Sequence, residues 1–273
     1  GRIIAIYQGC FLFAVGIGPL PGGLLATHYG LAAPFQAYGA ASFLAMIVAW
    51  FAVKETKGLG TSVGLGAGAS ISFLRQIKLL MGQVGFVLVS IISLVNAVTR
   101  TGGLFTIVPV FAAVHLALSV AEIGTGMALG SVFGLLAAYP TGMLVDRFGR
   151  KAVIVPATLI TGAAMLLFMV APGYAWFVVA CVVWGIAATV GGTAPAAYAA
   201  DSAPPGMNAA AMSTFRMVGD IGYVIGPIAL GFLVDTQGAE TALVVTAALS
   251  VVAGMLFLKF APESYSGSAR QRD

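Results

Sequence analysis

Long apolar runs recur along the whole chain and leave it few folds to adopt. "AVIVPATLITGAAMLLFMVA", Ala152–Ala171, contains no charged residue and matches the roughly 20 residues that a helix needs to cross a bilayer. The mean hydropathy is +1.02, and only 8% of the residues are charged. Lipid admits helices and closed barrels, and barrel strands alternate in polarity. These continuous runs therefore predict an all-α polytopic membrane protein.

The sequence predicts eight transmembrane helices. Their expected bounds are Ile3–Thr27, Leu31–Val53, Val84–Ala113, Ala121–Val145, Ala152–Ala171, Tyr174–Ala200, Ala209–Val234 and Thr241–Phe260. A Gly/Ser-rich linker follows the second span and is expected to be flexible. It leads to "ISFLRQIKLLMGQ", where apolar residues recur at helical spacing. This segment is expected either to lie as a short helix in the membrane interface or to extend the third span.

The basic residues lie almost entirely on one side of these spans. The opposite side has "THYGL", "VHLALS", "APGY" and "DTQGAE", without Lys or Arg. Because cytoplasmic loops carry the excess of Lys and Arg, both termini and the linker are expected in the cytoplasm. The basic residues are therefore attributed to membrane orientation and not to nucleic-acid binding. The start "GRIIAIYQGC" has no initiator Met and no signal-peptide pattern, which suggests a fragment.

Two distant hairpins resemble each other at a shift of 208 residues. "GIGPLPGGLLATHYG", Gly16–Gly30, aligns without gaps to "VIGPIALGFLVDTQG", Val224–Gly238. The shift pairs Gly18 with Gly226, Pro19 with Pro227 and Gly23 with Gly231, and further matches follow. Copies separated by six spans are typical of transporters built from parallel six-helix halves.

A charged loop lies between the fourth and fifth spans. "GMLVDRFGRK" fits the pattern G-x-x-x-D-R-x-G-R-K at every fixed position, which are Gly142, Asp146, Arg147, Gly149, Arg150 and Lys151. With this loop motif the chain resembles the major facilitator superfamily, helices five to twelve of twelve. "GIGPLPGG" resembles the helix-five motif typical of its exporters, with Gly18, Pro19, Gly22 and Gly23 in place and the first Gly shifted.

The resemblance implies an N-terminally truncated transporter. Residues 1–53 would be the last two helices of the N-terminal half, 54–82 the cytoplasmic linker with its interfacial helix, 83–263 the C-terminal half and 264–273 a cytoplasmic tail. The expected function is proton-coupled export of small organic molecules, as in drug/proton antiporters, by alternating access in a bacterial plasma membrane. The alternatives are an importer of sugars or organic anions and a non-transporting scaffold or receptor.

The resemblance also implies that the loop is a cytoplasmic latch, which stabilises the state closed to the cytoplasm. Gly142 would let helices approach, and Gly149 would permit the tight turn. The alternative is that the charges, Arg147 above all, only enforce orientation. The expected partners are a small-molecule substrate, protons and lipid, with no nucleic acid and no evident protein partner.

Five polar residues inside spans are candidates for a cavity or for coupling: Asn96, Arg100, Tyr139, Thr193 and Asp220. Charges within membrane spans are costly and tend to be functional, although Arg100 could instead reach the outer headgroups. Asp220, placed near the cytoplasmic start of its span, is expected either to pair with Arg216 one turn earlier or to latch the other half. Motifs for metal sites, cofactors or nucleophilic catalysis are absent, so no enzyme, metal or cofactor is expected.

Overall fold

The computed structural model describes residues 18–52 and 72–263, and these residues form helices joined by short turns. In chain order the helices are α1 (Pro19–Tyr29), α2 (Ala33–Ala52), α3 (Phe73–Met81), α4 (Val84–Val98), a π-helical segment (Thr99–Ile107), α5 (Val108–His115), α6 (Val120–Phe148), α7 (Arg150–Met169), α8 (Tyr174–Asp201), α9 (Asn208–Gln237) and α10 (Ala239–Phe260). The expected linker up to Ile71 and the expected tail lie outside the described residues.

Seven helical stretches of the described part are long and apolar enough to cross a membrane, with α4, the π-helical segment and α5 together forming one of them. The all-helical membrane architecture predicted from the sequence is therefore confirmed. The predicted first span, Ile3–Thr27, falls mostly outside the described residues, and α1 is its described part. The predicted spans from Leu31 onward all appear, although their ends differ by a few residues.

The helix ends extend further into the polar turns than predicted. The predicted turn between the last two spans, 235–240, reduces to Gly238 alone, because Asp235 lies in α9 and Glu240 in α10. A transmembrane helix continues past the hydrocarbon region into water, where charged residues are tolerated within it. Hydropathy locates the edge of the bilayer, not the last hydrogen bond of the helix.

Four described glycines have a positive φ, which other residues rarely adopt, and three of them lie at helix ends with nearly the same backbone angles. Gly30, Gly149 and Gly238 have φ of 86°, 88° and 89° and ψ of 167°, 164° and 163°. Gly30 and Gly238 correspond to each other in the 208-residue repeat, and each donates its backbone N–H to the carbonyl four residues earlier. The first helix of each hairpin therefore ends in the same way, whereas the second helix begins directly after Gly238 but two residues later after Gly30. Gly149 makes the tight turn between α6 and α7 that the sequence predicted.

Glycine faces let the helices pack closely. Gly126, Gly130 and Gly134 recur every fourth residue on α6 and meet Phe177, Cys181 and Gly185 of α8; we call this contact the α6–α8 seam. A Cβ added at Gly134 would lie 2.7 Å from the carbonyl oxygen of Gly185. Small residues at such contacts bring the backbones together and increase van der Waals contact.

A similar contact joins α9 to α4. A Cβ added at Gly222 would lie 2.5 Å from the carbonyl oxygen of Leu94, and one at Gly226 would lie 2.9 Å from the Cα of Val98. Residue numbers rise in the same direction along both helices, so α4 and α9 run parallel. This register fixes which residues of the two helices share a depth in the bundle.

Two apolar cores fill the bundle of α4–α10. One includes Phe111, Phe168 and Phe177 and lies toward one end. The other includes Phe86, Tyr198 and Phe257 and lies toward the opposite end, where Arg150, Lys151 and Asp201 also lie; we call this the basic end. Between the two cores, the bundle leaves a polar depression.

The short helix α3 is separate from the third span. Ser72 precedes it, and Gly82 and Gln83 divide it from α4, so the alternative of an extended third span is wrong. Leu80 is fully buried, whereas Leu74 is largely exposed. Thus only part of the predicted apolar stripe packs on the bundle, and Ile71 lies outside the described residues. That α3 lies in the membrane interface remains a prediction.

Candidate functional site

A depression of about 660 Å³ opens on the bundle; we call it the polar cavity. Its lining comes from α4, the π-helical segment, α7, α8 and α9. The lining residues are Ser93, Asn96, Ala97, Arg100, Thr161, Trp184, Ala188, Gly191, Gly192, Thr193, Ala196, Met212, Phe215, Arg216, Gly219, Asp220 and Tyr223. Its size lies within the range of small-molecule sites, about 300–1,000 Å³.

The structure places Asn96 and Arg100 on the wall of the polar cavity, one helical turn apart. The Asn96 amide donates a 2.9 Å hydrogen bond to the carbonyl oxygen of Gly191, which ties α4 to α8. Arg100 is half-buried, and its guanidinium carbon lies 5.9 Å from the ring centroid of Phe105. Within the described part of the chain, no carboxylate lies within 4 Å of this guanidinium.

Arg100 is the second residue of a π-helical segment nine residues long, Thr99–Ile107. The Thr106 hydroxyl donates a 2.7 Å hydrogen bond to the carbonyl of Thr101, five residues earlier. π-Helical turns are rare and are frequent at functional sites. Gly102 and Gly103 lie within this segment, where the helix widens without breaking.

Asp220 differs from its predicted position. It is the thirteenth residue of α9, about 18 Å along the helix from its first residue, and not near its start. Asp220 and Arg216 both border the polar cavity, and the described residues show no ion pair between them. The predicted pairing one turn apart is therefore wrong. The predicted span itself began at Ala209, one residue after the start of α9, so Asp220 was already its twelfth residue and the spacing to Arg216 alone suggested the pair.

Of the remaining two candidates, one borders the polar cavity and the other does not. Thr193 borders the polar cavity, and its hydroxyl donates to the carbonyl of Thr189 at 3.2 Å. Tyr139 does not border it, and 79% of its side chain is exposed. Five helical residues correspond to a rotation of about 140°, so Tyr139 points away from Gly134 and from the α6–α8 seam. The sequence showed that Tyr139 is a polar residue in an apolar span, but not on which side of α6 it lies.

Trp184 was missed by the sequence prediction. It is 8% exposed and borders the polar cavity, and its indole nitrogen has no hydrogen-bond partner among the described residues. Trp usually lies at the bilayer interfaces, whereas Trp184 is the eleventh of the 28 residues of α8. That unusual depth was the available signal. Phe215 and Tyr223, also missed, add aromatic surface to the wall.

The latch motif meets two other helix ends at the basic end. Arg150 donates a 2.9 Å ion-paired hydrogen bond to Asp201 at the end of α8 and a 3.2 Å one to the Val145 carbonyl. Lys151 donates a 2.7 Å hydrogen bond to the Ala261 carbonyl, just after α10. Asp201 carried no sequence signal beyond lying on the same predicted side as Arg150.

Other motif residues make fewer contacts. The exposed Arg147 lies over the ring of Phe148, 5.5 Å from its centroid. A Cβ added at Gly142 would meet no atom within 4 Å in the described part of the chain, so the close approach expected at Gly142 is not seen there. The side chain of Asp146 lies outside what the structure describes.

The helix-five motif contacts the bundle through one glycine. Gly23 is buried, and a Cβ there would lie 3.0 Å from the Val120 carbonyl of α6. Gly18 is exposed, Gly22 meets no described atom within 4 Å, and the Pro19 side chain lies outside the description. In the repeat, Gly226 packs on Val98, Pro227 lies inside α9, and Gly231 meets no described atom within 4 Å.

Apolar helices long enough to cross a membrane, with a polar cavity between them, define a polytopic membrane protein with a small-molecule site. The sequence profile described as Major Facilitator Superfamily matches residues 88–273. The chain belongs to this superfamily, whose members are transporters and not enzymes.

Three relatives illustrate the range of the superfamily around this chain. It is 23% identical to an uncharacterised MFS-type transporter of Methanocaldococcus jannaschii over 94% of its own length and 65% of the relative. It is 30% identical to the multidrug resistance protein MdtG of Citrobacter koseri over 49% of its length and 33% of that protein. A Na⁺, Li⁺, K⁺/H⁺ antiporter of Planococcus maritimus is 29% identical over 55% of the chain and 38% of the antiporter. The chain thus spans less than two thirds of each relative.

Proposed function

We propose that the protein exports small organic molecules in exchange for protons, by alternating access. The observation that carries this proposal is the polar cavity, where Asp220 and two arginines line a depression in a bundle of largely apolar helices. Charged side chains at membrane depth are costly and usually serve transport. The multidrug-resistance name of one relative and the proton antiport named in another favour this chemistry.

Asp220 is the proposed proton carrier. Its carboxylate can take up and release a proton while it faces the cavity. The other charged or titratable groups on the cavity wall are Arg100, Arg216 and Tyr223; α4, α7 and α8 contribute uncharged residues there. Since Asp220 is the one acid in this lining, protonation would change the charge of the cavity by a full unit.

The two-half arrangement and the orientation are part of the same proposal. The equal turn geometry of Gly30 and Gly238 supports a repeat of six-helix halves, with 1–53 in the first half, 54–82 as linker, 83–263 as the second half and 264–273 as tail. The one-sided Lys and Arg favour cytoplasmic termini in a bacterial plasma membrane.

The test uses everted membrane vesicles that contain the full-length product of the gene. Respiration acidifies the vesicles, and a ΔpH-sensitive dye is quenched. Organic cations, neutral compounds and anions are then added, and separately NaCl, LiCl and KCl. Dequenching by an organic compound that fails with Asp220→Asn is the expected result. Dequenching by the salts alone would favour the cation antiport named in one relative. No dequenching by any compound would refute proton exchange.

The latch has its own test. Asp146→Asn is expected to lower the transport rate while leaving the amount of membrane-inserted protein unchanged, since the motif charges stabilise one closed state. Lys259→Gln, which removes a charge outside the motif, is the control. A wild-type rate for Asp146→Asn would contradict the latch role.

A further inference from the structure

We infer that the substrate carries an acidic group, which Arg100 binds, on an aromatic or otherwise apolar body. This inference rests on the proposed function, because it names the substrate class of the same cavity. The first observation is the charge of the cavity wall. Two guanidinium groups and one carboxylate leave the wall with one excess positive charge. Among the described residues, no carboxylate lies within 4 Å of the Arg100 guanidinium.

Depth separates Arg100 from Asp220. Gly226 of α9 packs against Val98 of α4, so Arg100 lies near the level of Gly226. Asp220 is six residues before Gly226, about 9 Å along the helix axis. The carboxylate and this guanidinium therefore occupy different levels of the cavity, and Arg100 remains available to a ligand.

An aromatic side chain of the cavity wall lies at a depth similar to that of Arg100. Asn96 and Gly191, joined by their hydrogen bond, set the register between α4 and the antiparallel α8. Arg100 is four residues beyond Asn96, and Trp184 is seven residues beyond Gly191 in the same direction. The two side chains thus lie within about 5 Å of each other in depth. The indole nitrogen of Trp184 is itself buried, so this side chain offers the cavity its aromatic ring and not its N–H.

The rest of the wall suits an apolar body. Phe215, Tyr223 and Met212 border the same cavity of about 660 Å³. A guanidinium binds carboxylate, phosphate or sulfonate oxygens through a planar fork of donors. It repels an ammonium group at the same place. The chemistry of the wall therefore selects an organic anion over an organic cation of the same shape.

The test compares three probes that share one ring system: 2-naphthoate, its neutral amide and 2-naphthylmethylammonium. Their equilibrium binding to the full-length protein in nanodiscs is measured. Saturable binding of the naphthoate is expected, with the amide and the ammonium at least about tenfold weaker. Arg100→Gln should weaken naphthoate binding at least about tenfold, and Arg100→Lys should weaken it less, because the charge remains but the fork is lost.

Two further variants sharpen the result. Trp184→Ala removes the aromatic ring from the wall and should weaken naphthoate binding about two- to tenfold. Lys259→Gln removes a cation from the end of α10, outside the cavity, and should bind like wild type. Thermal unfolding of each variant shows whether it is folded. If Arg100→Gln does not fold, Arg100→Lys decides. A folded Arg100→Lys protein that binds naphthoate as tightly as wild type would show that the guanidinium fork does not bind the anion.

Three outcomes would overturn the inference. They are no saturable naphthoate binding, amide or ammonium binding as tight as that of naphthoate, or wild-type naphthoate affinity in Arg100→Gln. Failure of the proposed function is distinguishable from these. Arg100-dependent binding without dye dequenching in everted vesicles would refute proton exchange and keep the anion site. Dequenching by uncharged compounds without naphthoate binding would support proton exchange and refute the anion site.

Discussion

Gly134→Ala tests the close packing of the α6–α8 seam. The added Cβ would lie 2.7 Å from the Gly185 carbonyl oxygen and 2.8 Å from the Thr189 hydroxyl, whereas ordinary contacts begin near 3.4 Å. The backbone oxygen of Gly185 cannot rotate away as a side chain can. The two helices must therefore separate by about 0.7 Å along this stretch.

The energetic cost follows from that separation. A gap of about 0.5–1 Å forfeits a quarter to a half of the dispersion energy of each atom pair across it. Overpacking of a tightly packed contact typically costs about 1–3 kcal/mol. For a chain of this size we expect the melting temperature to fall by about 3–9 °C.

A native thiol reports the transition. Cys181 is buried in the seam itself, so a maleimide dye that fluoresces on reaction will report unfolding when Cys181 becomes accessible. Cys10→Ser is the common background. Gly142→Ala is the matched control on the same helix, since its Cβ would meet no described atom within 4 Å, and it should leave the melting temperature equal or higher. Equal melting temperatures for Gly134→Ala and Gly142→Ala would refute the reasoning.

Three other substitutions probe the basic end by the same thermal assay. Gly149→Ala should lower stability by about 1–3 kcal/mol, because φ of 88° with ψ of 164° is a conformation essentially confined to glycine; an unchanged melting temperature would contradict this. Asp201→Asn should lower stability by about 1 kcal/mol through loss of the half-exposed ion pair, and in an Arg150→Gln background it should have little further effect. Tyr198→Phe removes the 2.7 Å hydrogen bond to the Pro262 carbonyl and should cost about 0.5–1.5 kcal/mol, an effect that would be absent if the hydroxyl bonded equally well to water.

The architecture was predictable because hydropathy is a property of the chain alone. Charge-free runs such as Ala152–Ala171 must be helical in lipid, and α7 covers nearly the same residues. The sequence also identified Asn96 and Arg100 as cavity candidates, and both border the polar cavity. Hydropathy and polarity are local properties of the chain.

The failures needed information from other helices. Tyr139 is polar within an apolar span, but its face is set by where α8 meets the glycines of α6. The ion pair between Asp220 and Arg216 was predicted from spacing alone, which does not fix the side-chain rotamers. Trp184 and Asp201 became candidates only through neighbours distant in sequence. The π-helical segment depends on tertiary contacts that no period in the sequence reveals.

One consequence of the single-glycine turns concerns topology mapping. Gly149 alone separates α6 from α7, and Gly238 alone separates α9 from α10. An epitope tag or reporter inserted at either turn would have to pull two packed helices apart, so a loss of protein there would say nothing about sidedness. The longer connections, residues 170–173 and 202–207, leave the hydrogen bonds of the adjoining helices intact. Tags at these two places should report opposite faces of the membrane.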